Sequence, residues 1–483
     1  MSNGGQAQLH FGSRPQLDVV SLGKIAVVAV TTASMGLLLY AGWLPALAVA
    51  GIASLAVCAV TWPRAFRIAV YVGVVALPFV TAWPLLQPDE YNYPTYFAGF
   101  ALAIVALGAL QPRMFSSGAG TLYLLYISLA GLITVVRSGH EEHLPKLAYI
   151  LAAFALYTLV RRADSSERRL LIGLVIALGV IQSILAVTQS VSGGPSFDVV
   201  LPELLQSRRN YFAYLLPGTG IVPLVTQGSG TLPHFNALGA VLALCLPLAF
   251  GLWVTNRRSP WLLLALLMIA AGLVATFSRG ALLGALAGGL FVLWFGPARS
   301  RRTSIALALC LAVLLGLLGA SVASQYFQTT QNLDIRVATW QTALGTALDR
   351  PSSLIAGYGY GHFHDEVLSA GIGGQDLTER STYMASLHSG YLQLLLEFGI
   401  VAAVLFATWM VSVFRRVTNV VSPSVVPVFG GAVGLLCSQA LDNALFSYAG
   451  VLFVALLAVV EAETVHRRPV VEPIPGETPR GGR

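Results

Sequence analysis

His388-Ser389-Gly390-Tyr391-Leu392-Gln393-Leu394-Leu395-Leu396-Glu397-Phe398-Gly399 opens an apolar run that extends to about Val413. A run of that length can cross a bilayer, which takes about 20 apolar residues in helical form. It has a histidine at its mouth and carries a carboxylate, Glu397, into the apolar part. Ionisable groups are costly in hydrocarbon, so both positions are functional suspects. Upstream lies a polar interval, Val322 to Leu387, crowded with Arg, Asp, Glu, His and Gly. The chain reads as a membrane enzyme with its chemistry at this junction.

The rest of the sequence agrees. Hydrophobic residues make up 56%, charged residues 10%, and the mean hydropathy is +0.75. A soluble fold would have to bury every apolar run with very few charges left for its surface, so that class is excluded. Apolar runs lie near 23–41, 43–62, 68–86, 95–111, 121–136, 144–160, 169–190, 233–254, 260–277, 281–297, 303–321, 388–413, 424–442 and 445–461. The expected fold is therefore an all-α polytopic membrane protein with about 12–14 spans. Its expected organisation is an N-terminal tail (1–22), a first group of spans (23–190) and a polar segment (191–232). A central group of spans (233–321), a large polar loop (322–387), the last spans (388–461) and a tail (462–483) follow.

Orientation follows from the basic residues. With the N-terminus inside, 20 of the 28 Lys and Arg fall in inner loops and tails, and 14 of the 21 acids fall on the outer side. The net charge of +7 is thus a topological signal, and nothing in the chain resembles a nucleic-acid-reading module. Cys58, Cys245, Cys310 and Cys437 all lie in apolar runs without paired spacing, which suits small core residues rather than disulfides or metal ligands. The segment from Pro469 to Arg483, rich in Pro, Gly and charge, is expected to be disordered.

Several outer arginines are not explained by orientation: Arg137, Arg208, Arg209, Arg279, Arg336, Arg350 and Arg380. Arg279 sits in Thr276-Phe277-Ser278-Arg279-Gly280, a short turn between two spans. It suits a fixed cation for a phosphate or pyrophosphate, which a planar guanidinium matches in a bidentate way; a snorkelling contact to lipid headgroups is the plainer alternative. Arg208 and Arg209, among apolar residues, suit an interfacial or re-entrant segment, with lipid or substrate as partner.

Leu333, Val337, Trp340, Leu344 and Leu348 share one helical face, which predicts a helix over 333–348 lying on the membrane surface. The stretch Gly357-Tyr358-Gly359-Tyr360-Gly361-His362-Phe363 is a glycine-punctuated loop of the kind that lets backbone approach a ligand. His388 is the expected general base, histidine being suited to taking a proton from a hydroxyl near neutral pH; a capping role is the plainer alternative. Ser389, Gln393 and Glu397 form a polar stripe at spacings of four. Glu397 would lie roughly 13 Å below His388 at about 1.5 Å per residue, too far for direct contact, and is expected to pair with an arginine or a backbone group. Asp89-Glu90, Glu141-Glu142 and His362-x-His364 do not make the oxygen-rich cluster that Mg²⁺ or Mn²⁺ needs, so no metal and no other cofactor is expected.

Asp334-Ile335-Arg336-Val337-Ala338-Thr339-Trp340, Pro351, the glycine loop at 357–363 and His388-Ser389-Gly390-Tyr391-Leu392-Gln393 with Glu397 and Gly399 form an ordered set. With Ser278-Arg279-Gly280-Ala281 and Gly230-Thr231-Leu232-Pro233-His234-Phe235-Asn236-Ala237-Leu238-Gly239, it resembles the O-antigen ligase/polymerase superfamily over roughly Arg208 to Phe446. That resemblance implies a helical fold of the second GT-C class and glycan transfer from undecaprenyl pyrophosphate at the periplasmic face of the bacterial inner membrane. O-antigen transfer to lipid A–core oligosaccharide is the leading expectation; polymerases and protein oligosaccharyltransferases belong to the same superfamily. The resemblance makes His388 the base on the acceptor hydroxyl and Arg279 a pyrophosphate ligand. Arg336 is a further substrate-binding candidate, with Ser389, Tyr391, Gln393, Glu397 and Asn236 in support. Many members carry an arginine shortly before the Gly-Thr pair; here Val225-Thr226-Gln227-Gly228 stands there, so Arg208 or Arg209 is expected to supply the second cation. A lipid-linked glycan transporter is the rival from another class, but it calls for polar residues along the inner halves of the spans, where almost none occur.

Overall fold

The computed structural model describes residues 62–81, 118–138, 144–191, 228–232, 234–255, 259–296, 330–360, 387–420 and 424–465. Regular structure among them is entirely helical. The helices are α1 (Pro63–Thr81), α2 (Ala119–Ser138), α3 (Leu144–Arg162), α4 (Ser165–Val191), α5 (Phe235–Thr255) and α6 (Pro260–Ala275). They continue as α7 (Arg279–Phe295), α8 (Thr330–Asp349), α9 (Pro351–Ala356), α10 (Gly390–Val420), α11 (Val425–Ser438) and α12 (Tyr448–Val465). A 3-10 turn, Ala444–Phe446, precedes α12. The chain forms two compact units, Met1–Val74 and Val75–Arg483. The first is described only from Trp62 through the first part of α1; all that follows concerns the second.

Ser165–Ser190, Phe235–Thr255 and Gly390–Asn419 are long and apolar enough to cross a membrane, and Ala119–Thr134, Pro260–Ala275, Arg279–Phe295 and Val425–Ser438 are shorter apolar helices. The chain is a helical membrane protein. The spans expected near 23–41, 95–111 and 303–321, and all of 43–62 but Trp62, lie outside the described residues, as do Arg208, Arg209, Arg380 and the tail. Elsewhere the expected and observed helices overlap. The main difference is α10, which continues past Arg415 and Arg416 to Val420.

Small residues let α5, α7 and α11 approach closely. Gly280, Gly284 and Gly288 recur at every fourth position of α7, facing Gly430, Gly434 and Ser438 at the same spacing on α11. A Cβ at Gly284 would fall 2.2 Å from the Gly434 carbonyl oxygen, and one at Gly288 would fall 2.4 Å from that of Gly430. Lipid provides little hydrophobic force between helices, so contact of this kind, through small residues, holds them together. On the other side, α2, α3, α10 and α12 pack together.

That second group surrounds a buried carboxylate. Glu461 Oε2 accepts from the Tyr157 hydroxyl at 2.6 Å and lies 3.6 Å from Arg161 Nε; Oε1 accepts from Trp409 Nε1 at 2.8 Å. Arg161 also donates to Tyr157 and Thr121. Four helices thus share one acid whose two oxygens are both engaged.

Candidate active site

At the opposite end, α5, α7 and α10 all begin where α11 finishes. The turn after α11, Ser438–Asp442, is the hub. The Gly390 amide donates to the carbonyls of Gln439 at 2.9 Å and Asp442 at 2.7 Å, which seats the start of α10. A Cβ at Gly280 on α7 would lie 3.2 Å from Leu441 Cβ and the Ser438 carbonyl oxygen. One at Gly239 on α5 would lie 2.8 Å from Ser278 Cβ and Ala281 Cβ. Three helix N-termini, each with a partial positive charge, therefore meet in one place. None of them has an acid in its first turn to offset that charge.

Two arginines add to it. Arg279 is the first residue of α7, behind the N-cap Ser278, whose hydroxyl accepts from Ala281. Arg336, on α8, donates from Nη1 to the Leu441 carbonyl at 3.0 Å. Burial lowers the pKa of Arg336; Asp442 opposes that shift and the positive charge of Arg279 adds to it. The two guanidinium groups are thus near enough to repel. Asp442, 6% exposed, is an acid close to Arg336. Burial pushes its carboxyl up to about 6, against the Asn443 amide and the Arg336 charge, which favour the ionised form.

His234 stands beside this pair, just before α5. Burial, and then the Arg336 charge, pull its pKa down to about 4, so the ring is neutral at pH 7. Its Nδ1 accepts from the Asn236 amide at 3.1 Å, which puts the proton on Nε2. Asn236, expected in support of the site, contributes this backbone amide.

His388 is held from two sides. Trp340 Nε1 on α8 donates to the Leu387 carbonyl at 2.6 Å, and Leu387 is buried with Ala343, Ala347 and Leu396. Gly390 is fixed by the hub. Between them His388 takes φ 44°, in the left-handed region that costs a non-glycine residue energy. Phe277 does the same at φ 53°. Each strained aromatic residue precedes a serine at a helix start, Ser278 or Ser389, and such outliers cluster at functional sites.

Below His388, α10 is broken at Gly399 (φ 80°, ψ 176°), a conformation open essentially to glycine alone. The break takes carbonyls away from their usual helical donors. The Tyr358 amide donates to Leu396 at 2.8 Å and the Gly359 amide to Glu397 at 3.0 Å; the Tyr126 hydroxyl reaches Phe398 at 3.3 Å. The described start of the glycine loop, expected to approach a ligand, instead approaches a helix. Gly357, at φ 83°, would meet the Glu397 carbonyl oxygen at 2.3 Å if it bore a Cβ.

The polar stripe of α10 is bonded within itself and to α11. Gln393 Nε2 donates to Glu397 Oε2 at 3.0 Å, a partner not foreseen from the sequence. Ser389 Oγ accepts from the Leu392 amide, and the Tyr391 hydroxyl donates to the Leu436 carbonyl at 2.6 Å. These three roles are positional. Arg350 is exposed at the junction of α8 and α9. Among the described residues no three His, Cys, Asp or Glu are grouped so as to hold a metal ion; Asp89, Glu90, Glu141, Glu142, His362 and His364 lie outside them.

A family model described as O-antigen ligase (Wzy_C) matches residues 263–407. The chain carries an O-antigen ligase-family domain. The match runs from α6 into α10 and contains Arg279, Arg336, His388 and Glu397. No curated protein matches the chain. The family supports an O-antigen ligase/polymerase type of function, a glycosyltransferase-like activity on lipid-linked polysaccharide. His234, Gln439 and Asp442 lie outside the matched segment, yet the fold brings them to the same end. Asp442 has a legible signal, an acid closing the apolar run 424–442. His234 was masked by its neighbour Asn236.

Proposed function

We propose that the protein is a GT-C-like glycosyltransferase at the periplasmic face of the bacterial inner membrane. It moves O-antigen polysaccharide from undecaprenyl pyrophosphate to a sugar hydroxyl of lipid A–core oligosaccharide, by an inverting and metal-independent route. One observation carries this reading: Arg279 and Arg336 converge with three acid-free helix N-termini beside His388. Such a concentration of fixed positive charge suits a diphosphate, whose negative charge grows as it leaves. In the proposed step, His388 accepts the proton of the acceptor hydroxyl as its oxygen attacks the anomeric carbon. The bond from that carbon to the diphosphate oxygen breaks, and the electron pair leaves with the diphosphate, held by Arg279 and Arg336. The neutral His234 offers its Nε2–H to the same group. Arg208 and Arg209 remain candidates for a further contact to it.

The test uses purified protein with lipid-linked donor, with and without lipid A–core. Product on the core supports the ligase; extension of the donor itself supports a polymerase. His388→Ala should lower turnover by about 10²–10⁴-fold, the usual contribution of a general base. Arg279→Ala should lower it by a further-ranging 10²–10³-fold or so, as for loss of one preorganised donor. Both proteins should still insert and accumulate. Wild-type turnover in His388→Ala would remove that residue from the base role, and reversible inhibition by a chelator would overturn the metal-independent route.

A further inference from the structure

Two side-chain oxygens of the hub that seats the start of α10 are buried without a donor among the described residues. Gln439 is fully buried and its Oε1 meets no hydrogen-bond donor among the described residues; the same holds for Asp442 Oδ2. Neither side chain is loose. Gln439 Nε2 donates to Ser438 Oγ at 3.1 Å and to the Leu435 carbonyl at 3.4 Å, which turns Oε1 the other way. There it lies 2.6 Å from where a Cβ on Gly390 would stand, two residues from His388. Asp442 Oδ1 is held by the Asn443 amide at 2.9 Å, leaving Oδ2. A third oxygen, Gln393 Oε1, is in the same condition one turn along α10. Buried acceptors left unsatisfied are costly, so each marks a place where a donor belongs.

The nearby cations leave these atoms unserved. Arg336 Nη1 is bonded to the Leu441 carbonyl, one residue before Asp442. The side chains at this end of the bundle are thus divided: donors on α7, α8 and just before α5, acceptors on the hub and the first turns of α10. A diphosphate has only acceptors to offer and fits the first part. A sugar presents hydroxyl donors and fits the second.

Resting on the transferase reading above, we infer that Gln439 and Asp442 form a recognition subsite for hydroxyl groups of the acceptor sugar, adjoining the hydroxyl that His388 deprotonates. Both residues also anchor Gly390 through their backbone carbonyls, so the subsite and the base are built on one framework. A sugar seated there has its neighbouring hydroxyls fixed while one is presented to His388. Gly390 belongs to the same device: any larger residue would drive its Cβ into the Gln439 amide.

The experiment measures initial rates in lipid nanodiscs at saturating lipid-linked donor while lipid A–core is titrated. Gln439→Met keeps the volume and removes the acceptor; it should raise the KM for lipid A–core about tenfold, as for loss of a hydrogen bond to a buried partner, and leave the donor KM unchanged. Gln439→Glu keeps an acceptor and loses the amide donor, and should return that KM close to the wild-type value. Asp442→Asn is near-isosteric and gives an independent arm: the Asn443 amide retains the oxygen at one position, so a nitrogen replaces Oδ2 and the acceptor KM should rise several-fold. Met and Glu variants impaired alike would mean a packing role for Gln439 and overturn the subsite, as would wild-type acceptor KM in both Gln439→Met and Asp442→Asn, the result expected if the two oxygens serve bound water alone. A wild-type protein that transfers nothing refutes the transferase reading and the subsite with it; one that transfers normally while the variants match it refutes the subsite alone.

Discussion

The two ends of the bundle each bury an acid near arginine, and they treat it in opposite ways. Around Glu461 every oxygen is taken, by Tyr157, Trp409 and the facing Arg161, and the acid ties α3, α10 and α12 into one body. Around Asp442 two arginines repel each other, one carboxylate oxygen has no donor among the described residues, and two backbones are strained. The first arrangement is closed and needs nothing more. The second leaves hydrogen-bonding capacity open among the described residues, which is what a ligand-binding place requires. Polar residues in a membrane protein are therefore not equal evidence for function; what separates them is whether the protein alone satisfies them.

The contrast can be broken most forcefully at Glu461. Glu461→Leu leaves the buried Tyr157 hydroxyl and Trp409 Nε1 without an acceptor and the half-buried Arg161 without its acid, and should cost about 3–5 kcal/mol, read as a large drop in thermal midpoint. Glycan transfer per folded molecule should stay at the wild-type level; a specific loss of turnover would erase the distinction between the two ends. Asp442 gives the opposite sign with pH. Its folded pKa, about 6, lies above its ordinary value of 3.8, so its contribution to stability is greatest below pH 4 and is lost as pH rises through 6. Asp442→Asn should therefore gain stability relative to wild type across that window, by up to about 2–3 kcal/mol, and hold the gain at higher pH. A flat difference between pH 4 and 7 would mean that the carboxyl is not held in this way.

Smaller effects are expected where the upper part of α10 is fastened. Gly399→Ala puts a side chain into a glycine-only conformation, 2.2 Å from the Ile355 carbonyl oxygen, and should destabilise by about 1–3 kcal/mol, detected as faster proteolysis. Unchanged proteolysis would show that the break is not required. Tyr126→Phe removes one long hydrogen bond to Phe398 and should cost only about 1 kcal/mol; a larger fall in thermal midpoint would raise that contact from an accessory to a principal one.

Much of this arrangement was legible in the sequence because it rests on local rules. The apolar runs foretold α2 to α7 and α10 to α12, and Arg279 and Arg336 stood out as cations on the side where orientation does not call for them. What was not legible depends on which partner a residue meets. The apolar face of α8 predicted from Val337, Leu344 and Leu348 is exposed, while Ala343 and Ala347 are fully buried, because small side chains permit the closest approach to Leu387 and Leu396. Gly357-Tyr358-Gly359 carried the signal for close approach, but nothing local said that its target was the break at Gly399. Gln439, in an apolar neighbourhood, became informative only once its amide had a direction.

The break at Gly399 has one more consequence. Gly390–Phe398 joins the rest of α10 across a residue of non-helical backbone; its last carbonyls are bonded to Tyr358, Gly359 and Tyr126. Tyr358 is in turn bonded through its hydroxyl to Thr346 on α8. Mechanically, the first nine residues of this long helix are a fitting of the α8–α9 segment that bears Arg336, and share its stiffness. A disturbance that begins in α8 can therefore reach His388 through a lever of hydrogen bonds.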